Sequence, residues 1–534
     1  MYYHEALFTK NLLMKFIAKS ILVSILAIAP AISLAQTEVS TVNGIDWSLK
    51  SQWPNVSMFD ASAYNSSGSS YTEGESTGII KIDDNSIISN VQIDSKRYGV
   101  VRLNKDLSTQ WLTNIDGYPI SIGMFNGNIL VLTATEFSSI SGISNEYTGY
   151  LIDSKTGRII VSRNVYKGSD KFYEQPMFLY SPDGSFFKIA IRTSNFTRGT
   201  HSPLLMFKMS KVADDYFTTN EFKVLDFDNK LELKSTIKPV LDQGYFIGAT
   251  TNKFGDVFLM TDYFQGYIKI ARYENGKTTP TKVLQQTVSM TDAIFSNLTN
   301  NYMFTSKKDP LAVFFAGTYQ NGPGDRELVV SKFDFKNGLV NSNTQVIDKP
   351  YIKELEKSYV PFNKKFSGAN LGNKAEMKIR NVVENDGKLI VGLSSYTIYN
   401  PGNGGHSQMT AYDLLINIYD EKTDLKYQQI IPRSYSSFIF GYMGIGMHCD
   451  KNALYLTANN NKGMFGFKAL YSQVDLSNGK ILNITAVEKP NIKKSYTIDP
   501  YASFWFSNQF ALSYIEEKGF IFRSADAHIQ LLNY

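Results

Sequence analysis

The chain has 534 residues, 19% of them charged and 43% hydrophobic, and 54 basic against 49 acidic side chains leave a formal charge of +5. That is too apolar for a disordered chain, and long enough to bury one large core or several ordinary ones. Thirty-five Phe, 33 Tyr and 4 Trp put 13% of the residues in aromatic rings, which suit the half-buried surface of a sheet, so mostly β structure is expected. A single cysteine, Cys449, excludes a disulfide framework, a cysteine zinc site and a covalent c-type haem. Lysines are scattered among acids rather than gathered in a run, which argues against a nucleic-acid stripe and a polybasic membrane patch.

Residues 14–35 read MKFIAKSILVSILAIAPAISLA, two lysines followed by an apolar run and small residues before a cut at Gln36. That is the pattern of a secretory signal peptide, and residues 1–35 are assigned to it. The thirteen residues ahead of Met14 read as a misplaced start or an extended n-region. The apolar run is broken by Pro30 and is shorter than the roughly 20 residues a spanning helix needs. No cysteine follows the cut, so a lipid anchor of the exported type is not expected. Residues 36–534 are expected to form one domain, exported to the periplasm or the medium.

Beyond the leader one pattern recurs. In residues 119–166, PISIGMF, the turn NGN and ILVLTATE are followed by a polar stretch, then GYLID, the turn SKTG and RIIVSRNVY. Asn-Gly and Thr-Gly between β-rich runs are hairpin chemistry, so the unit reads as four antiparallel strands. The same outline fits residues 175–194, 384–431 and 446–485, and first turns near 84, 127, 183, 255, 308, 386, 451 and 518 recur about every 62 residues. Eight units are expected, with seven as the alternative because DQG at 242–244 competes with FGD at 254–256. A four-stranded sheet repeated this often implies a β-propeller. The last unit has room for three strands only, so the segment after the leader is expected to supply the missing outer strand and close the ring. Residues 349–377 form the most irregular connection and read as a long insertion between two blades. Two stacked sandwiches, with that stretch as linker, are the competing architecture.

At the level of turns, SPDG at 181–184 and NDGK at 385–388 resemble those of secreted bacterial propellers with WD-like or TolB-like blades. IDSKTGRII is similar to the outer hairpin of quinoprotein-type blades. The resemblance implies the architecture alone, because the Gly-His and Trp-Asp pairs of WD repeats and the tryptophan docking pattern of quinoproteins are absent.

In a four-stranded antiparallel blade the first and third turns share one face, and the second connection shares the other with the link to the next blade. The turns of the first class are short throughout, whereas the second class is long at 138–148, 195–202, 318–326, 397–411 and 459–466, and at 349–377. Loops on a rigid scaffold concentrate binding residues. The candidate binding set is therefore Tyr147, Arg198, His201, Tyr263, Phe264, Tyr319, Arg326, Tyr399, His406 and Phe465, residue types that dominate interface energetics.

No catalytic or metal residue is nominated, and no cofactor. Outside the leader there are four histidines and no G-x-S-x-G elbow, which argues against a serine hydrolase. His448-Cys449-Asp450 cannot jointly face one metal from a strand, because consecutive residues point to opposite faces. NPGNGGH at 400–406 lacks the Lys-Ser/Thr of a phosphate loop, and LDFDNKLE at 225–232 lacks the glycine of a calcium loop. Glu516-Glu517 is expected beside a hairpin turn. The expectation is a monomeric binding or scaffold propeller recognising a protein or glycan partner, more a binder than an enzyme. A polysaccharide-cleaving enzyme with a carboxylate pair at the central channel is the alternative, and an outer-membrane β-barrel, whose strands need about 9–11 alternating residues, is a third reading.

Overall fold

Hairpin chemistry organises the molecule. In the computed structural model, Asn126-Gly127 and Asp386-Gly387 both take positive φ at their two positions (49° and 75°, 50° and 83°). That is the twist that matches a two-residue turn to its flanking strands. Each joins a pair in tight register, Phe125 opposite Asn128 and Asn385 opposite Lys388. The structure describes residues 38–42, 48–49, 79–92, 98–134, 146–168, 172–197, 219–241, 245–263, 266–289, 301–320, 324–373, 377–399, 408–437, 444–461, 467–487, 496–506, 509–518 and 524–533.

The strands Ile79–Asp83, Ser86–Gln92, Tyr98–Asn104 and Thr109–Ile115 form the first four-stranded antiparallel sheet, neighbours in space being neighbours in sequence. Sheets two to five follow the same order within 118–167, 172–237, 245–287 and 301–347. Sheet six uses Lys378–Asn385, Lys388–Ser394, Leu414–Tyr419 and Leu425–Ile431, and sheet seven lies within 446–487. Sheet eight takes Tyr496–Trp505, Gln509–Lys518 and Ser524–Asn533 from the C-terminal end and adds Glu38–Val42 from the N-terminal end. The fold is all-β, built of repeated four-stranded antiparallel sheets in the manner of a multi-bladed β-propeller. Separate sheets of this kind are not the continuous sheet of a membrane barrel.

Packing follows the repeat. The core is divided into layers, each shared by consecutive sheets. Phe187 and Ile189 of sheet three meet Leu130 and Leu132 of sheet two, Phe304 and Phe314 of sheet five meet Leu389 and Leu415 of sheet six, and Tyr471 of sheet seven meets Phe510 of sheet eight. The first strand of each sheet lies against the first strand of its neighbour or a strand beside it, and Ile79–Asp83 of sheet one also touches Tyr496–Trp505 of sheet eight. Glu38–Val42 pairs antiparallel with the last strand, Thr41 opposite Gln530.

One expectation is corrected here. The first connection of the last sheet falls between Trp505 and Gln509 and not near 518, because Gln509–Lys518 is a single ten-residue strand that pairs on both sides. Glu516 and Glu517 therefore sit within a ladder, opposite Asp526 and Ala525. LDFDNKLE contains an ordinary third turn: the Asp228 carboxylate accepts the N–H groups of Lys230 and Glu232, both at 2.8 Å, and Leu231 takes the positive φ of 57°.

Candidate functional site

Antiparallel pairing alternates the ends of a sheet, so first and third turns lie on one side and second and inter-sheet connections on the other. On the first side the longest connection among the described elements is 274–281. These turns share a chemistry: Asp153, Asp228, Asp334, Asp420 and Asp475 each end or follow a third strand and accept N–H groups of their own turn. Against burial, which opposes them most at Asp334 and Asp420, those hydrogen bonds hold the five carboxyls below the usual range, joined at Asp420 by the Lys426 side chain and at Asp475 by the Ser477 hydroxyl. On the other side longer stretches of chain separate successive described blade strands: Phe187–Thr197 from Thr219–Phe227, Leu339–Ile347 from Lys378–Asn385, Lys388–Ser394 from Leu414–Tyr419, and Leu425–Ile431 from Gly446–Cys449.

The ten candidate residues divide. Arg198, His201, Phe264, His406 and Phe465 lie outside the described residues, as do the leader and the DQG stretch. Tyr263 is the last residue of Val257–Tyr263. Tyr147 and Tyr319 are buried, because rings near strand ends are drawn into the layers between sheets. Tyr147 stacks on Tyr166 at 5.4 Å and meets the edge of Phe178 at 5.5 Å, joining sheet two to sheet three. Arg326 opens a strand of sheet five and is half-buried. Tyr399 stands 67% exposed at the end of Tyr396–Tyr399.

Tyr399 belongs to a platform on sheet six that the sequence pattern did not disclose. The connection into sheet six begins with the helix Lys349–Ser358, whose N-terminus is capped by the Asp348 carboxylate accepting Tyr351 N–H at 2.8 Å, with Pro350 in the first turn. Ile352 anchors the helix in the layer between sheets five and six. Within sheet six the segments Tyr396–Tyr399 and Gln408–Ala411 pair with each other, and Tyr435–Ser437 completes a separate three-stranded sheet.

Asp413 knots these pieces together. Its Oδ2 accepts Asn370 N–H at 2.5 Å and its Oδ1 accepts Arg433 N–H at 2.7 Å, while its own N–H donates to the Asn370 carbonyl. The Arg433 side chain donates to the Tyr412 and Gly444 carbonyls and to Ser394 Oγ. Glu356 accepts Leu371 N–H at 2.7 Å, so helix and platform grip the same stretch of chain. Burial pushes the Asp413 carboxyl up to about 7; the two N–H groups and the Arg433 charge pull it down, and the Glu356 charge adds to the rise.

A second perturbed group lies on the short-turn side. His448 stacks on Trp505 (5.4 Å, 10° between planes) and on Tyr455 (6.1 Å). Burial, with Lys81 and Lys307 nearby, pulls the imidazole down to about 4 against the opposing charges of Asp450 and Asp84. Asp450 instead caps its own turn and accepts the Tyr455 hydroxyl at 2.7 Å, and Cys449 packs half-buried against the core. Among the described residues no three His, Cys, Asp or Glu side chains gather as a metal site, and no helix is long and apolar enough to cross a membrane.

No protein-family model and no curated protein matches the sequence. Among solved structures, BamB from Moraxella catarrhalis is similar at 9% identity and a TM-score of 0.38, over 93% of this chain and 100% of that one. The WD40 domain of SCAP from fission yeast matches at 10% identity and 0.40, over 86% and 96%. The β-propeller domain of the Trilobed protease from Pyrococcus furiosus matches at 10% and 0.35, over 79% and 97%. These are distant resemblances to propeller proteins.

Proposed function

We propose that the chain is an exported binding or scaffold propeller of eight blades, its ring closed by Glu38–Val42, that recognises a protein or glycan partner through the face bearing the long connections. One observation carries this reading: connections longer than 274–281 all lie on one side of the sheets, and the platform on sheet six is built there. A rigid scaffold elaborated on one side is the ordinary form of a recognition surface. Exposed Tyr399 and half-buried Arg326 are the described residues placed to contact the partner. The test is capture from an envelope extract by the exported form of the chain, repeated with 195–202 and 397–411 shortened. The reading expects a specific partner whose capture is lost on shortening; unchanged capture after both deletions refutes it.

The alternative, cleavage of a polysaccharide, draws on Asp413, which holds its proton up to about pH 7 within electrostatic reach of Glu356. Against it, both carboxylates are engaged by backbone N–H groups of 370 and 371, a structural duty. Release of reducing ends from a glycan panel that is abolished by Glu356→Gln, with folding retained, would favour the enzyme.

A further inference from the structure

Charge is nearly balanced over the whole chain, yet it is uneven on the connection between sheets five and six. Lys349, Lys353 and Lys357 recur every four residues and form an exposed stripe along the helix Lys349–Ser358, away from the side that carries buried Ile352 with Tyr351 and Leu355. Lys364 follows, also exposed. From 349 to 365 there are five lysines and two glutamates, a local charge of 5 − 2 = +3. Of the three acids nearest the stripe, Glu356 accepts Leu371 N–H and Asp348 caps the helix, and Glu354 is exposed on the helix beside the lysines. Among the described residues Lys349, Lys353, Lys357 and Lys364 enter no ion pair. Between Lys357 and Lys364 the chain turns through an apolar tip, with Val360 80% and Phe362 38% exposed and Pro361 exposed between them.

We propose that this helix and tip dock the elaborated face on an anionic phospholipid surface, Val360 and Phe362 entering the headgroup layer and the lysines meeting the phosphates. Charge complementarity selects the occupant. Protein interfaces are depleted in Lys and enriched in Arg, Tyr and Trp, whereas every cation of this patch is Lys and the one Tyr at the tip, Tyr359, is half-buried and donates its hydroxyl to the Phe366 carbonyl. Lysine stems lie along apolar surface and carry their charge outward, which suits a headgroup layer beside a shallow apolar wedge. Each lysine near such a surface contributes about fivefold in partition, so the stripe and tip together give reversible binding.

The test is cosedimentation of the purified chain with phosphatidylcholine vesicles, with and without phosphatidylglycerol, at low and high salt. The proposal expects binding that needs phosphatidylglycerol and weakens with salt. Replacing Lys349, Lys353 and Lys357 by Gln lowers partition roughly a hundredfold. Replacing Lys155, Lys230 and Lys336, exposed on turns of the opposite side, leaves it unchanged although the net charge falls equally. Phe362→Trp gives indole emission that shifts to the blue only with the anionic vesicles. Equal binding to both vesicle types, binding to neither, or equal loss in the two triple variants overturns the proposal. Capture by poly-glutamate without vesicle binding overturns it as well and assigns the patch to an acidic macromolecule.

Discussion

Replacing Asp413 by Asn should change how stability depends on pH. An acid whose folded pKa is raised binds its proton more tightly in the native state, so between pH 4 and 7 the native chain holds a proton that the unfolded chain has lost. Stability from this group is therefore greatest in acid and falls as pH rises through that window. The gap between 3.8 and about 7 corresponds to about 4 kcal/mol, at about 1.4 kcal/mol per pH decade. The introduced carboxamide cannot ionise, and it retains one acceptor for the two N–H donors of Asn370 and Arg433, at a cost of about 1 kcal/mol. The variant should be the less stable protein by about 1 kcal/mol below pH 4, about equal near pH 5, and the more stable one by about 3 kcal/mol at pH 8. Denaturant titrations of both proteins across pH 4–8 provide the comparison. Parallel curves over that range would refute the claim that Asp413 is ionised at a cost inside the platform.

His448→Phe keeps the stack on Trp505 and removes a group whose folded pKa is depressed from 6.5 to about 4. The native imidazole resists protonation, so its contribution is present above pH 6.5 and lost as pH falls toward 4. The variant should lose up to about 3 kcal/mol of acid sensitivity in that window, read from melting temperature against pH. Gly446→Ala places a methyl 2.2 Å from the Pro500 carbonyl oxygen and 2.4 Å from Thr457 Oγ1, where sheet seven meets sheet eight. Backbone on one side leaves little room to yield, and a loss of about 2–3 kcal/mol in denaturant titration is expected.

The strand repeat was legible because turn chemistry is local. Asn126-Gly127, Ser181 to Gly184 and Asp386-Gly387 announce their hairpins by residue type, and the runs between them alternate or are wholly apolar. The last sheet was misplaced at its turn because GFIFRS at 519–524 offers a glycine, while the true break between Trp505 and Gln509 offers none. The platform left little trace. Tyr396–Tyr399, Gln408–Ala411 and Tyr435–Ser437 are strands of four, four and three residues, too short for a period to show. Asp413, Asn370 and Arg433 are joined through backbone N–H groups, which every residue but proline possesses, so no spacing marks them. Tyr147 and Tyr319 have the composition of interface residues but lie in the layers between sheets, a distinction that depends on which way a strand end points. The lysine stripe was hidden by near-neutral totals and appears once 349–358 is helical.

The proposed closure of the ring is tested most directly by a cross-link between the N-terminal strand and the last strand. In a Cys449→Ala background, Thr41→Cys and Gln530→Cys occupy paired positions of Glu38–Val42 and the last strand. The account predicts that they form a disulfide in the folded protein without catalysts of exchange. The oxidised form should then unfold later than the reduced one by about 5 kcal/mol, the magnitude for so long a loop. Two free thiols persisting in the folded, oxidant-treated chain would contradict it.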